Sequence, residues 1–590
     1  MKNKILFIGI DAMDPRIVDA LDLPNLKGLK TYKRLETTIP PETPVAWSAA
    51  STGTNPGKFG IFDFISRDPK TYLPKLNLSH EKRGMVKTSY VTANRGVPFW
   101  KILSDNGIKS TIIRWPVTFP ADRIKGRILS GLGVVDLKGM LGKYSFYTNE
   151  DINPDKEGSE KRIKVDFNAD SAETFVSGPL INKGGKMKDV KAKLGIKING
   201  DAINILINGR DYQLKEGQWS GFIRTEFKVY FLKVYGIFRL YLESINPFRM
   251  YMTSVQIDPE NQNNLNITHP EDYGKELVEN IGMFHTLGIP EDTKAVTEGA
   301  MKKDVFISQT NQIEEERTKM FEYEFKRFDQ GLLALVFDSG DRIKHLFWNK
   351  RLCGKGFNEK DIPEEIKDYY KKKDKLIGEI ISRIDDYTKL IIMSDHGFNN
   401  FDRKVNINNW LVENGYMKAN GKGLLFESVD WEHTKAYSLG FTSIYLNIKN
   451  REGKGIVDSE EKKLLIKEII EKLKELKDGD KPVFTNIYEG DEIYEGDFSS
   501  DAPDIVLGFS PGYRMSWKSV SGGLDDNIIS DNDEEWLGDH LIDRTHVPGV
   551  LFTNFEINKE SPSIIDIAPT ILKLFDIGIP GNIDGKSLIM

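Results

Sequence analysis

The 590-residue chain contains a single cysteine, Cys353, and only eight histidines. One thiol excludes an internal disulfide and a thiolate-rich zinc site, so any zinc ion would have to be held by histidine and aspartate. Long apolar runs are also missing. The longest hydrophobic region, 231–242, is broken by Lys233 and Arg239 well before the length of a membrane span. We expect this region to belong to a strand pair or a buried helix, with membrane contact a less favoured alternative.

Neither sign of charge dominates the chain. It has 82 basic and 88 acidic residues, a net charge of −6, and both signs are mixed along its length. This balance argues against general nucleic-acid binding, although it allows a small phosphorylated substrate. Residues 1–4 lead straight into an apolar segment that is too short for a signal sequence and is interrupted by Asp11. We therefore expect a cytoplasmic protein that does not span a membrane. The sequence does not determine its oligomeric state.

The chain alternates strand-like and helix-like segments at both ends and differs in between. Such alternation predicts an α/β protein with a mostly parallel sheet and helices on both faces. The middle segment has a period near two and contains an Asn208-Gly209 turn between two apolar stretches, which is a strong hairpin signal. We predict a catalytic core formed by residues 1–154 and 269–590. Residues 155–268 would form a β-rich insertion that caps the substrate site.

Three apolar segments are each followed by acidic residues, two of them with histidine. These are Asp11 after 5–10, Asp341 and His345 after 332–337, and Asp395 and His396 after 390–393. The carboxyl ends of strands in an open α/β sheet meet at one edge. Carboxylates and imidazoles are good ligands for divalent metals. The spacing of Asp341 and His345 also puts both on one face of a helical turn. The pattern therefore predicts one shared metal centre.

Thr43 is the candidate nucleophile. Prolines at 40, 41 and 44 surround it, and the run of small residues that follows can form a helix. The N-terminus of that helix would offer free N–H groups and a positive dipole to a phosphate. Metal coordination would lower the pKa of the Thr43 hydroxyl. The simpler alternatives are an ordinary turn residue for Thr43 and a helix cap for Asp11.

These elements together resemble the alkaline phosphatase superfamily, specifically its type I phosphodiesterase / nucleotide pyrophosphatase branch as found in prokaryotes. Thr43 lies ten positions before Gly53, which belongs to a segment, 52–61, that matches the family's Thr-Gly-x-x-Pro-x-x-x-Gly-Ile pattern. Phe59 stands where the family commonly has histidine. The other matching elements are the first strand with Asp11, the Asp341-x-x-x-His345 and Asp395-His396-Gly397 motifs, and the C-terminal segment 565–588.

The resemblance implies two bound divalent ions, with zinc preferred and manganese the alternative. From the residues alone, we expect Asp338 to support a metal ligand or to cap a helix. We expect Arg342 to pair with a nearby acid, with contact to phosphate as the alternative. The last ligand would be a late histidine. His540, which follows a Gly-Asp loop, is preferred to His546, which opens an apolar run. The implied ligands are Asp11, Thr43, Asp395 and His396 for one ion, and Asp341, His345 and His540 for the other.

The resemblance also implies a metal-dependent hydrolase of phosphodiester or pyrophosphate bonds. Such an enzyme would act through a covalent phospho- or nucleotidyl-threonine at Thr43. A phosphomonoesterase or phosphomutase on the same fold is the alternative. A non-catalytic scaffold that binds metal or nucleotide is less favoured, because the ligand set and Thr43 are both intact. A sulfatase is disfavoured because no Cys- or Ser-x-Pro-x-Arg element accompanies a nucleophile.

Overall fold

The computed structural model describes residues 3–83, 88–354 and 356–590. The chain divides into two compact units, which we describe separately. The first comprises residues 1–80, 92–111 and 328–590, and the second 81–91 and 112–327. The second unit is longer than the expected insertion at 155–268. The division into a core and an inserted cap stays a prediction.

The first unit is built on a sheet with strands β1 (Lys4–Ile10), β2 (Thr31–Leu35), β3 (Ser110–Ile113), β4 (Gly331–Phe337), β5 (Thr388–Met393) and β6 (Gly549–Thr553). Their spatial order is β2-β6-β5-β1-β4-β3, with the first two residues of β3 belonging to this unit. Strand β1 pairs in parallel with β4 and β5, whereas β6 is antiparallel to β5 and β2. The sheet is therefore mixed, with parallel strands at its centre. The expected α/β class is confirmed.

The three central strands end level with one another. Ile10 lies opposite Phe337, and Gly9 lies opposite Met393. Nearly every residue of these strands is buried, as expected for strands that are covered on both faces and read as continuous apolar runs. Since parallel strands place their carboxyl ends at one edge, the residues that follow β1, β4 and β5 are brought together.

Two helices flank this edge, α1 (Thr43–Thr52) and α2 (Ser339–Phe347). All ten residues of α1 are buried, and its C-cap is Gly53 with φ 69°, a left-handed conformation that glycine adopts readily. A Cβ added to Gly9 of β1 would collide with the ring of Trp47 in α1. The absence of a side chain at Gly9 therefore lets α1 lie close to the central strand.

The first unit contains further helices and strands around this sheet. The helices are Pro15–Ala20, Pro24–Lys27, Pro56–Phe59, Phe99–Asp105, Glu364–Ile381, Ile407–Glu413, Ser459–Lys474, Gly490–Ile493, Trp517–Val520 and Ile567–Leu574. The strands are Ile65–Arg67, Pro74–Leu76, Asn399–Val405, Ala436–Ser438, Ser443–Leu446, Lys477–Asp478, Lys481–Pro482, Phe484–Glu489, Ile505–Phe509, Gly512–Met515, Ile529–Asp531 and Gly538–Asp539.

The second unit is rich in β-structure, as expected for its central part. Its Asn208-Gly209 turn has φ values of 47° and 74° and joins two antiparallel strands, which confirms the predicted hairpin. Its helices are Tyr273–Ile281, Thr293–Thr297 and Lys303–Phe325. Its strands are Gly126–Leu129, Ser145–Thr148, Arg162–Lys164, Ser171–Lys183, Lys186–Asn199, Ala202–Ile207, Arg210–Lys215, Ile223–Val229, Leu232–Phe238, Leu240–Ser244, Arg249–Met252, Gln256–Ile257 and Thr268–His269.

The hydrophobic region 231–242 falls in strands and not in a helix. Across the described part of the chain, no helix combines the length and the apolar character that crossing a membrane requires.

Candidate active site

Thr43 is the first residue of α1, and its side chain is buried. Its Oγ1 atom lies 3.3 Å from Nε2 of His396. The first amide groups of a helix have no acceptor within the helix and carry partial positive charge, so they favour a bound anion. The structure therefore combines a hydroxyl, an imidazole and a helix N-terminus at one point.

The loop after β5 holds Asp395 and His396, both fully buried. Nε2 of His396 lies 3.2 Å from Oδ2 of Asp395 and 3.7 Å from Oδ1 of Asp11. The loop is fixed by Ser394, whose hydroxyl donates to the His396 carbonyl and accepts from the amide of Met13. Ligating atoms of Asp11, Asp395 and His396 all lie within 4.8 Å of one another. These three residues form the first potential metal-binding group.

The second group involves α2. Nε2 of His345 lies 3.2 Å from Oδ2 of Asp341, one helical turn before it. Nε2 of His540 lies 3.5 Å from Oδ1 of the same aspartate. Ligating atoms of Asp341, His396 and His540 lie within 4.8 Å of one another. Since His396 belongs to both groups, the two are contiguous.

The three imidazoles share one hydrogen-bonding pattern. In each, Nδ1 faces a backbone carbonyl oxygen, which can only accept a hydrogen bond. Nδ1 is therefore the protonated nitrogen, and the lone pair of Nε2 is left free for a metal. The three bonds join His345 to Gly538 at 2.7 Å, His396 to Gly397 at 3.0 Å and His540 to Pro41 at 2.7 Å.

Several carboxylate oxygens of this site are buried without a hydrogen-bond partner among the described residues. They are both oxygens of Asp11, Oδ1 of Asp341 and Oδ2 of Asp395. A buried carboxylate oxygen that accepts no hydrogen bond is unfavourable unless a cation or a proton compensates its charge. The oxygen and imidazole donor set fits divalent ions such as zinc and manganese.

The electrostatics of the site agree with this fit. Burial, together with the nearby Asp395 and Asp341, raises the pKa of Asp11 well above its usual value. Burial also raises the pKa of Asp395 to about 7. Burial lowers the pKa of His396 to about 4, and burial with the adjacent His396 lowers that of His540 to about 3. These two imidazoles are therefore neutral near pH 7, which metal binding requires.

Asp341 differs from the other two aspartates. Burial opposes its ionisation, but His345 in its charged form and the Arg342 guanidinium outweigh that effect and hold the pKa of Asp341 well below the usual value. When His345 is neutral, as metal binding requires, Arg342 is the cation that remains. Arg342 forms a close ion pair with Asp341, in line with the expectation that this arginine pairs with an acid. Asp338 is buried at the N-cap position of α2.

The structure brings all seven candidate residues together at the carboxyl edge of the sheet. Their roles as ligands and nucleophile stay predictions. His546 lies elsewhere, with Nε2 2.9 Å from the Thr485 hydroxyl. His540 is therefore the late histidine placed beside Asp341. The seven residues are Asp11, Thr43, Asp341, His345, Asp395, His396 and His540.

Asp14 is a site residue that the sequence reasoning missed. Its Oδ1 accepts from the amide of Arg16, which makes Asp14 the cap of helix Pro15–Ala20. The alternative role of cap that we considered for Asp11 therefore belongs to Asp14. The other oxygen, Oδ2, accepts from the amide of Phe398 at 2.8 Å and anchors the Asp-His-Gly loop. The Asp14-Pro15 pair carried the signal, because aspartate before proline is typical of a helix start.

The pair of Arg514 and Asp539 was also missed. Nε of Arg514 lies 2.8 Å from Oδ2 of Asp539, and both side chains are buried. Oδ1 of Asp539 accepts from the amides of His540 and Leu541. The pair thus fixes the backbone that presents His540. No local pattern in the sequence links these two residues.

Residues 5–183 and 268–532 match the profile of the type I phosphodiesterase / nucleotide pyrophosphatase family. The match covers well over half of the chain, so the chain belongs to this family. It includes the segments with Thr43, Asp341 and Asp395, and it ends before His540. Family membership supports a hydrolase of the phosphodiesterase type. No curated protein sequence matches the chain.

Solved structures of ectonucleotide pyrophosphatase / phosphodiesterase 5 align with nearly the whole chain. The human protein is 11% identical, with a TM-score of 0.43, covering 99% of this chain and 97% of its own. The murine protein is 10% identical, with a TM-score of 0.42, covering 98% and 96%. An inactive variant of the murine protein, in complex with AMP, gives the same values. Identities this low carry no information about the substrate of this chain.

Proposed function

We propose that the chain hydrolyses phosphodiester or pyrophosphate bonds, using Thr43 as nucleophile and two divalent cations. The observation that supports this most directly is the position of the Thr43 hydroxyl. It lies 3.3 Å from Nε2 of His396 at the start of α1, next to two contiguous groups of aspartate and histidine. Divalent ions bound there would supply the positive charge that favours an ionised hydroxyl and stabilises charge on the phosphate.

Each ion has a proposed ligand set. The sets follow the two groups, with the shared His396 assigned to the ion nearer Thr43. Zinc is the proposed ion and manganese the alternative. The proposed ligands are Asp11, Thr43, Asp395 and His396 for one ion, and Asp341, His345 and His540 for the other.

The proposed reaction has two displacements at phosphorus. Oγ1 of Thr43 attacks the phosphorus in line, and the bond from phosphorus to the leaving oxygen breaks. The result is a phospho- or nucleotidyl-threonine ester. Water then attacks the same phosphorus and releases Thr43. Pro44 has no N–H, and the Ala46 amide donates to the Glu42 carbonyl. The amides of Thr43 and Val45 would therefore bind the non-bridging phosphate oxygens throughout.

A metal-supplemented substrate screen tests the proposal. The protein is stripped with a chelator and reloaded separately with Zn²⁺, Mn²⁺ or Mg²⁺. It is then given bis-p-nitrophenyl phosphate, a dinucleoside polyphosphate and p-nitrophenyl phosphate. We expect the diester and the pyrophosphate to be hydrolysed faster than the monoester. Thr43→Ala should be inactive, whereas Thr71→Ala, at an exposed threonine of the same unit, should be fully active.

Other outcomes would favour the alternatives. A preference for the monoester would support a phosphomonoesterase, and return of the phosphoryl group to a second hydroxyl of the substrate would support a mutase. Binding of metal with no turnover of any substrate would support a non-catalytic scaffold that binds metal or nucleotide. The cap role of residues 155–268 and the cytoplasmic location stay proposals.

A further inference from the structure

Two β-hairpins of the second unit meet at their tips. A hydrogen bond joins the tips, in which the Tyr230 hydroxyl donates to the Asn182 carbonyl at 3.0 Å. The first hairpin turns at Gly184-Gly185, and the second turns at Tyr230-Phe231. We refer to the two turns with their adjoining residues, 180–191 and 226–233, as the tip surface. The hairpin strands are Ser171–Lys183 with Lys186–Asn199, and Ile223–Val229 with Leu232–Phe238.

The tip surface exposes large apolar side chains. The exposed fraction is 103% for Phe231, 71% for Tyr230, 63% for Leu232 and 45% for Met187. In contrast, Phe227 of the same hairpin is buried in the hydrophobic core of the unit. Exposed apolar residues that are consecutive in sequence, rather than scattered singly, indicate an interaction site.

The backbone conformation of the second turn is a further sign that its exposed aromatic residues serve an interaction. Tyr230 has φ 54°, a left-handed conformation that two-residue hairpin turns normally assign to glycine or asparagine. A tyrosine followed by phenylalanine is thus unfavourable both for the turn and for contact with water. The hydrogen bond to Asn182 gives Tyr230 a structural role, but neither the turn nor solubility accounts for the fully exposed Phe231 beside it.

Lysines surround the apolar residues. The exposed ones are Lys183, Lys186, Lys188 and Lys191 on the first hairpin and Lys228 and Lys233 on the second. Two acids lie within the tip surface. Glu226 pairs with Lys233 at 2.9 Å, and Asp189 pairs with Lys138 outside it at 3.1 Å. The tip surface is therefore positive, although the whole chain carries a net charge of −6.

We propose that the tip surface docks on an anionic phospholipid bilayer. Tyrosine and phenylalanine favour the headgroup region of a membrane, and leucine and methionine favour the acyl boundary beneath it. Lysines around such a wedge are attracted to anionic headgroups, while their alkyl chains remain against apolar surface. A nucleic acid could contact the lysines through its phosphates and stack its bases on the aromatic rings, but it would offer no apolar environment for Leu232 and Met187. The combination favours a lipid surface.

Vesicle co-sedimentation tests the proposal. The full chain is mixed with vesicles of phosphatidylcholine alone, or with about a third of phosphatidylserine. We expect binding to the anionic vesicles that weakens as salt is added. The double variant Phe231→Ser/Leu232→Ser should lower the partition coefficient about tenfold or more. The triple variant Lys183→Gln/Lys186→Gln/Lys188→Gln should lower it by up to roughly fivefold per lysine.

A matched control uses the first unit. Leu464, on helix Ser459–Lys474, is 72% exposed, and Lys463 and Lys467 beside it are exposed. Leu464→Ser and Lys463→Gln/Lys467→Gln should leave vesicle binding unchanged. All the substituted side chains are exposed, so circular dichroism spectra and thermal unfolding should match those of the wild type.

Two results would overturn the proposal. One is the absence of binding to anionic vesicles at low salt. The other is equal binding by the wild type and the Phe231→Ser/Leu232→Ser variant. If sedimentation equilibrium shows a dimer that this variant loses, and vesicles are not bound, the tip surface serves a second copy of the chain and the lipid proposal is wrong.

Discussion

The hydroxyl oxygen of Thr43 lies 3.3 Å from Nε2 of His396, whose Nδ1 faces the Gly397 carbonyl at 3.0 Å. Because that carbonyl requires a proton on Nδ1, the Nε2 lone pair points to the side where Thr43 lies. Oδ1 of Asp11 and Oδ2 of Asp395 approach the same Nε2 atom within 3.7 Å. One cation could therefore contact the hydroxyl and the three other side chains together. This geometry identifies Thr43 as the best candidate for the nucleophile.

Thr43→Ala should abolish turnover and leave the fold and most metal binding intact. The hydroxyl is one ligand among several, so the carboxylates and imidazoles can still hold the ion. The proposed covalent route has no second nucleophile to replace Thr43, and on that route we expect a loss of about a thousandfold or more. Thr43→Ser should retain part of the activity, because it keeps the hydroxyl but loses the methyl group that restricts χ1. Steady-state kinetics and elemental analysis of bound metal check both.

The covalent route is tested on the same variants. Acid quenching during turnover, followed by mass spectrometry of the peptide that contains residue 43, should detect the added phosphoryl or nucleotidyl mass in the wild type. Wild-type-like hydrolysis by Thr43→Ala at saturating metal would refute the threonine ester. A hydrolase that uses water directly would then be the surviving account.

His540→Ala should weaken metal binding far more than His546→Ala. Nε2 of His540 lies beside Asp341, whereas that of His546 bonds to the Thr485 hydroxyl. Loss of a residue that only supports a ligand typically weakens metal affinity by about 10- to 100-fold, and loss of the ligand itself should reach at least that range. Titration with a zinc-sensitive dye measures the two affinities. Equal losses in the two variants would contradict the placement of His540 as a ligand.

The central strands and their acidic ends could be predicted from the sequence. A strand buried on both faces must be apolar throughout, so β1, β4 and β5 are visible as uninterrupted runs. The end of each apolar run then predicts the carboxyl end of the strand to within one or two residues. Asp11, Asp341 and Asp395 could be grouped for that reason, before any contact between them was known. The Asn208-Gly209 hairpin was visible for a similar reason, since its turn chemistry is local.

Other features depend on contacts between distant parts of the chain. The pairing of Arg514 with Asp539, and the carbonyl groups that set the proton on His345 and His540, follow from tertiary packing and leave no periodic trace. The antiparallel strand β6 makes the sheet mixed, although its own sequence resembles any buried strand. The limits of the second compact unit are equally a result of packing, because its ends lie within segments of ordinary composition.

Arg514→Met should destabilise the first unit. The substitution leaves the carboxylate of Asp539 buried and without its cation, and loss of one partner from a buried ion pair typically costs about 3–5 kcal/mol. Lys449→Met is the matched control. It removes an exposed pair with Asp458 at 2.8 Å and should cost less than about 1 kcal/mol. Urea unfolding followed by tryptophan fluorescence gives the comparison. Equal effects of the two changes would show that the buried pair has no special role in stability.

Metal binding should weaken as the pH falls below 7. Burial raises the pKa of Asp395 to about 7 in the metal-free fold, against about 3.9 for an unfolded aspartate. Between these values the folded state keeps a proton that the unfolded state has lost. The protonated Asp395 side chain therefore contributes fully to the stability of the metal-free protein below about pH 3.9. That contribution is lost as the pH rises from there to about 7, because the buried carboxyl must then ionise. A metal needs the ionised carboxylate, so proton competition at Asp395 alone should lower the metal affinity by up to about tenfold for each pH unit below 7.

Thermal unfolding with and without Zn²⁺ at pH 5, 6, 7 and 8 measures this dependence. The rise in melting temperature on adding metal should increase from pH 5 to 7 and then level off. His396 and His540, with pKa values of about 4 and 3, remain neutral across this range and do not compete. Asp395→Asn is the matched variant. It should bind metal more weakly and show a shallower slope, since the remaining pH dependence comes from Asp11, whose pKa is also raised. A metal-induced shift that is the same at pH 5 and pH 7 would rule out proton competition at Asp395.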